Sequence, residues 1–115
     1  MSSIICIDAS NSSRVYFNFL SLQVVQKIPL GRLLLETDAP WCDIRRTHAG
    51  YRFVKTHHTY RKHNSWDESY MVKGRNEPAN LVQVLEVVSA VKGVSEEELA
   101  EITYQNSIDL FSLPI

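Results

Sequence analysis

Residues 33–43 read LLLETDAPWCD: three leucines run straight into two acids, Glu36 and Asp38, and then into Pro40. Unbroken leucines suit a strand buried on both faces, as in a parallel sheet covered by helices, and Pro29 and Gly31 end whatever precedes them. The strand is expected over Arg32–Thr37. Alternate side chains of a strand share a face, so Glu36 and Asp38 point one way and Thr37 the other. At the C-terminal end of an α/β-barrel strand, an inward carboxylate is placed to ligate a divalent cation or to take a proton from water. Capping the Ala39–Pro40 turn is the plainer use of the same acids, and spacing alone leaves both readings open.

Around this stretch the composition is that of one soluble globular domain: 115 residues, 44% hydrophobic, net charge −1. A near-neutral balance gives no overall basic field, so contact with nucleic acid would need a local patch. Cys6 and Cys42 form neither a disulfide framework nor a CxxC pair, which fits a reducing compartment. The start, MSSIICIDASNSSRVYF, has no basic region ahead of a long apolar one, and nowhere do about 18 apolar residues run together. A cytoplasmic or nuclear protein with no membrane span is expected.

Upstream, SIICIDA reads as a short strand and SNSS as a turn. From Arg14 to Lys27, Phe17, Leu20, Val24 and Ile28 recur at helical spacing, although aromatic and β-branched content leaves a strand open. Downstream, Pro40 to Arg75 is rich in Arg, Lys, His and Tyr without a sustained period, and reads as a long loop of the kind that is functional or disordered. Asn76 is a plausible N-cap and Pro78 suits a first turn. Leu81, Val84, Leu85, Val88 and Val91 then form an apolar stripe until Gly93, giving a helix over Glu77–Lys92. Ser95 with Glu98 matches a capping box, and Val94 with Leu99 its hydrophobic staple, opening a helix over Glu96–Phe111 with Ile102 and Leu110 on its buried face.

Three stretches in this order, IPLGRLLLETDAPWC, KGRNEPANLVQVLEVVSAV and GVSEEELAEITYQNSIDLF, resemble the C-terminal part of the TatD-type metal-dependent deoxyribonucleases. The likeness runs from about Val24 to Phe111, about the last third of a barrel of roughly 250 residues. It implies an α/β fold that is the C-terminal fragment of a TIM (β/α)8 barrel of the metal-dependent hydrolase superfamily. Residues 24–115 would form the partial hydrolase domain, with its last strand, long loop and two closing helices, and residues 1–23 a divergent N-terminal segment. Asp38 falls on the family's aspartate after the last barrel strand, which implies a metal ligand and general base. The resemblance also implies a divalent metal, Mg²⁺, Mn²⁺ or Zn²⁺, and DNA as the substrate of the complete enzyme. Arg75, Asn76 and Pro78 match the loop opening the last barrel helix, and Asn106 with Phe111 matches the closing helix.

Departures from the pattern are equally definite. Family members take further metal ligands from a His-x-His pair, a glutamate and two histidines on earlier strands, and none of these stretches occurs here. The four histidines, His48, His57, His58 and His63, all lie in the long loop without a His-x-His. A truncated form is expected, inactive by itself, with a non-catalytic or partner-binding product of the same family as the alternative. An unpaired strand and exposed apolar faces would make such a chain marginally stable and prone to self-association.

The remaining candidates divide between chemistry and packing. Cys42 and the loop histidines follow no common zinc spacing, so a solvated polar loop is the simpler reading. Arg45, Arg46, Tyr51, Arg52, Lys55, Tyr60, Arg61, Lys62 and Trp66 could instead hold phosphates and stack bases. Trp41 is a candidate substrate-binding aromatic, and Arg75 a substrate phosphate contact or a fold-supporting ion pair. Glu36 is expected buried one layer below Asp38 as structural support, and Asn106 is expected to satisfy backbone groups of a neighbouring loop.

Overall fold

The structure of the chain, a computed structural model, describes residues 3–5 and 22–115. The leucine run does form a strand. Strand β1, Ser3–Ile5, lies parallel to β2, Leu33–Leu35, with Ser3 opposite Leu33 and Ile5 opposite Leu35. Parallel neighbours need a crossover connection, and its described end, residues 22–27, is helical (α1). Within SIICIDA the expected strand is present at Ser3–Ile5, whereas SNSS and residues 14–21 of the expected helix lie outside the described residues.

Strand β2 is shorter than the expected Arg32–Thr37, because Leu30–Arg32 turns as a 3-10 helix and the chain leaves the sheet after Leu35. Leu33 and Leu34 point to opposite faces and are 0% and 3% exposed, so burial on both faces is real. The strand is not alone: β1 covers one edge, and among the described residues the other edge is unpaired.

Two helices, α2 (Leu81–Lys92) and α3 (Glu96–Phe111), pack beside β2. Entry into α2 differs from the expectation: a 3-10 turn over Pro78–Asn80 precedes it and Asn76 is not its N-cap. At its far end Gly93 takes φ 69°, a left-handed conformation open to glycine without a Cβ clash. Ser95 then caps α3 by accepting from the Glu98 N–H at 3.1 Å, and Glu96, Glu97 and Glu98 place negative charge at the positive end of the helix.

The core is Leu22, Val25, Leu33, Val54, Val84, Val87, Val88 and Leu99. It corrects three expected stripes. In α1 the buried positions are Leu22 and Val25, with Val24 58% exposed. In α2 Leu81 is exposed, while Gln83, Val84 and Glu86 through Ser89 are buried, because the helix carries a second layer on its flank. In α3 Leu99, Thr103 and Ile108 are buried, whereas Leu110 and Phe111 are exposed where the helix overruns the sheet layer.

That second layer comes from the segment expected to be loop. It is irregular, with 3-10 turns at Tyr51–Phe53 and His63–Ser65, yet His48, Gly50 and Val54 are buried. Glu86, itself 3% exposed, accepts from the Lys55 and Thr56 N–H groups at 3.2 and 3.1 Å and from the Thr56 hydroxyl at 2.9 Å. Gln83 donates to the Thr56 carbonyl at 3.0 Å. Buried irregular backbone must find partners, and two polar residues of α2 supply them.

Two long-range contacts close the layers. Lys92 Nζ donates to the Val25 and Gln26 carbonyls at 3.3 and 3.0 Å and also to that of Ile28, satisfying the free carbonyls where α1 ends. Asn106 Nδ2 donates to the Leu30 and Leu33 carbonyls at 2.8 and 2.9 Å, the backbone role expected of it.

Gly50 tests this layering. A Cβ there would lie 2.7 Å from Val87 Cγ1 and 3.2 Å from His48 Nδ1. Gly50→Ala should therefore cost about 1–3 kcal/mol by overpacking, read from urea denaturation, while Gly31→Ala, with nothing near its Cβ position, should cost much less.

Candidate active-site rim

Asp38 stands just beyond the end of β2, and its side chain is exposed. The Cys42 thiol donates to Asp38 Oδ2 at 3.4 Å, and the Trp41 N–H donates to the Asp38 carbonyl at 2.7 Å, closing a tight turn over Ala39-Pro40. The peptide between Ala39 and Pro40 is cis. Glu36, expected buried beneath Asp38, is instead exposed: it lies past Leu35, the last residue of β2, where no described strand flanks it. A shallow recess beside the turn is lined by Glu36, Asp38, Cys42, Asn76, Asn80 and Gln83, among others.

The turn is held from across the long loop. Asn76, 5% exposed, donates its N–H to the Pro40 carbonyl at 3.0 Å and its Nδ2 to the Trp41 carbonyl at 2.8 Å. Its Oδ1 accepts from the Glu77 N–H at 3.0 Å and from Asn80 Nδ2 at 2.8 Å. Asn80, 3% exposed, also donates to the Tyr60 hydroxyl at 3.4 Å, and its own Oδ1 is buried without a partner among the described residues. One buried amide network therefore joins the turn after Asp38, the start of α2 and Tyr60. Sequence reasoning did not find Asn80, took Tyr60 only as a residue of the basic and aromatic loop, and read Asn76 as a cap. Gln83 and Glu86 were also missed, although two polar residues three apart inside an apolar helical run were a visible signal.

The other candidates are placed as follows. Trp41 is 69% exposed and so largely open to solvent. Arg75 pairs with Glu77 at 3.0 Å and keeps half of its side chain exposed. Lys55 pairs with Glu96, whose hydrogen bond and charge raise the ammonium pKa above its ordinary value. The histidines disperse: the His48 Nδ1 accepts from the Gly50 N–H at 2.9 Å in the core, His57 lies 5.6 Å from the Tyr51 ring, His58 is half-buried and His63 is exposed. No three His, Cys, Asp or Glu side chains converge among the described residues, so they do not compose a metal centre by themselves.

A two-stranded parallel edge with helices on one side and a carboxylate at the strand's C-terminal end is one sector of a β/α barrel. The TatD related DNase profile matches residues 3–112. The chain belongs to that family. It is 49% identical to the deoxyribonuclease Tat-D of Schizosaccharomyces pombe over 80% of this chain and 30% of the relative. It is 43% identical to that of Saccharomyces cerevisiae, over 79% of this chain and 26% of the relative. The chain thus spans less than a third of the length of these curated relatives. Among solved structures, an uncharacterized amidohydrolase from Saccharomyces cerevisiae superposes with a TM-score of 0.71 at 42% identity, covering 77% of this chain and 29% of that one. A TatD family hydrolase from Entamoeba histolytica shares the fold with a TM-score of 0.74 at 24% identity, covering 92% of this chain and 40% of that one. The fold is that of a TIM-barrel metal-dependent hydrolase, of which this chain is a partial α/β piece. TatD membership implies use of a divalent metal, and no described helix is long and apolar enough to cross a membrane.

Asn76→Ala should remove the side-chain bond to the Trp41 carbonyl and leave that carbonyl unmatched, costing about 1–3 kcal/mol in urea denaturation. Calorimetric titration of the 115 residues with Mg²⁺, Mn²⁺ and Zn²⁺ should give no saturable micromolar site, since one carboxylate supplies too few ligands. A one-to-one site abolished by Asp38→Ala would contradict this.

Proposed function

We propose that this chain supplies the closing sector of a TatD-type deoxyribonuclease site that hydrolyses phosphodiester bonds in DNA, with Asp38 as its catalytic residue. The observation that carries the reading is the exposed Asp38 carboxylate at the end of β2, within a chain of the TatD related DNase family. At that position it can accept a proton from the water that attacks phosphorus, and it is the residue here suited to serve as a metal ligand. The metal would be Mg²⁺, Mn²⁺ or Zn²⁺. Trp41, which offers an open aromatic face, would stack on a base of the substrate, and the Arg75 guanidinium would contact a phosphate in competition with Glu77. A cytoplasmic or nuclear setting is proposed from the cysteine usage alone.

The scarcity of ligands favours a second reading for these residues in isolation: a non-catalytic piece that associates through exposed apolar surface. Leu35, Leu81, Leu85 and Tyr104 line an open groove between the end of β2, α2 and α3, the kind of surface that seeks a partner.

A nuclease assay separates the two readings. The 115 residues alone should not cleave DNA above background. In a protein where they close a complete barrel, Asp38→Asn should lower kcat by about 100-fold to 10,000-fold, the usual scale for losing a general base. Glu36→Gln in the same protein should lower the urea midpoint more than it lowers kcat. Near-native activity with Asn at position 38 would remove Asp38 from the chemistry.

A further inference from the structure

Charge is unevenly distributed along this nearly neutral chain. Eight of its 12 Lys and Arg residues lie between Ile44 and Arg75, against two of its 13 acidic residues. Four of the eight, Arg45, Lys55, Arg61 and Arg75, are neutralised by Asp43, Glu96, Asp67 and Glu77. Among the described residues the other four, Arg46, Arg52, Lys62 and Lys73, have no such carboxylate partner; Arg52 lies over the Phe53 ring, and Lys62 and Lys73 share a single small projection.

The projection is built, not loose. Strands β3 (Tyr60–Arg61) and β4 (Met71–Val72) pair in parallel through Met71 N–H to the Thr59 carbonyl at 2.9 Å and Lys73 N–H to the Arg61 carbonyl at 2.8 Å. The ends of the segment are thereby pinned together, the form of a compact Ω-loop. Inside it the Arg61 guanidinium sits 3.9 Å from the Tyr70 ring centre and pairs with Asp67 at 3.5 Å, and Asp67 also accepts from the Ser69 N–H at 2.8 Å. The Trp66 indole N–H donates to the Tyr70 carbonyl, which orients the ring while leaving the residue 45% exposed. A large apolar ring presented to water in a fixed orientation, on one small projection with two exposed lysines that have no carboxylate partner, suits a single strand: cations take the phosphates and the ring takes a base face, which a duplex hides. Tyr60, 38% exposed, ties this projection through Asn80 and Asn76 to the turn that carries Asp38 and Trp41.

We propose that residues 59–73 form a docking surface for single-stranded DNA, with Trp66 stacking a base and Lys62 and Lys73 holding flanking phosphates. The proposal rests on the deoxyribonuclease reading for its choice of DNA, and it adds a binding surface separate from the catalytic aspartate.

The test is fluorescence anisotropy of a labelled oligothymidine with the 115-residue chain in EDTA, over a range of KCl, with circular dichroism of every variant. Lys62→Gln with Lys73→Gln should weaken binding at least tenfold at low salt and lower the salt slope by about 1.4, two phosphates' worth on a single strand. Trp66→Ala should weaken it by roughly tenfold, and Trp66→Phe should restore most of the loss. Glu68→Gln should tighten binding, a gain that misfolding cannot produce. Unchanged affinity and slope in the lysine pair, no response to Glu68→Gln, or equal affinity for duplex DNA would overturn the proposal. The two claims fail separately: titration in EDTA reads binding without cleavage, so the lysine and Trp66 variants decide the docking surface, whereas kcat of Asp38→Asn in a complete barrel decides the catalytic reading.

Discussion

The buried amide of Asn76 is the constraint on which the site depends. The chain leaves the sheet after Leu35, wanders for some forty residues, and must return to the same place to begin α2. Closing so long a loop is entropically unfavourable by an amount that grows only slowly with length, so a few well-placed bonds at its neck suffice. Asn76 makes them with both its backbone and its side chain, to Pro40 and Trp41, and passes the restraint to Asn80. Asn76 and Asn80 are themselves buried, where an unmatched polar group is costly and a matched one is correspondingly specific.

The same logic explains why a loop so rich in charge is not simply solvated. Its middle is packed on α2, and the backbone there is satisfied by Glu86 and Gln83, which an apolar helix face would not have provided. Beyond Thr56 the segment turns outward and carries exposed Tyr60, Arg61, Lys62 and Trp66. Core and candidate binding surface are thus two halves of one segment, divided by where α2 offers hydrogen-bond partners.

Among the described residues the sheet is open at one edge. Leu33 is fully buried by helices, yet Glu36 is open to solvent and one edge of β2 has no described neighbour. In a closed barrel, strands on both sides and inward side chains cover such positions. That the chain spans less than a third of the length of its relatives is consistent with this open edge.

The sequence by itself determined the elements whose signals are local. The leucine run, the Ser95 cap with Glu98, the Gly93 stop and the acid at the strand end all follow from nearest neighbours along the chain, and all are found in place. The family was legible too, because its motifs lie in contiguous stretches. Tertiary structure alone decided which helix faces are buried, since α2 must serve a sheet on one side and an irregular layer on the other. It also decided that Glu36 is exposed, that His48 belongs to the core, and that Asn76 holds a turn rather than a helix end. These outcomes depend on partners far away in sequence, Asn76 with Trp41 and Glu86 with Thr56, and no local pattern carries the position of a partner thirty residues away.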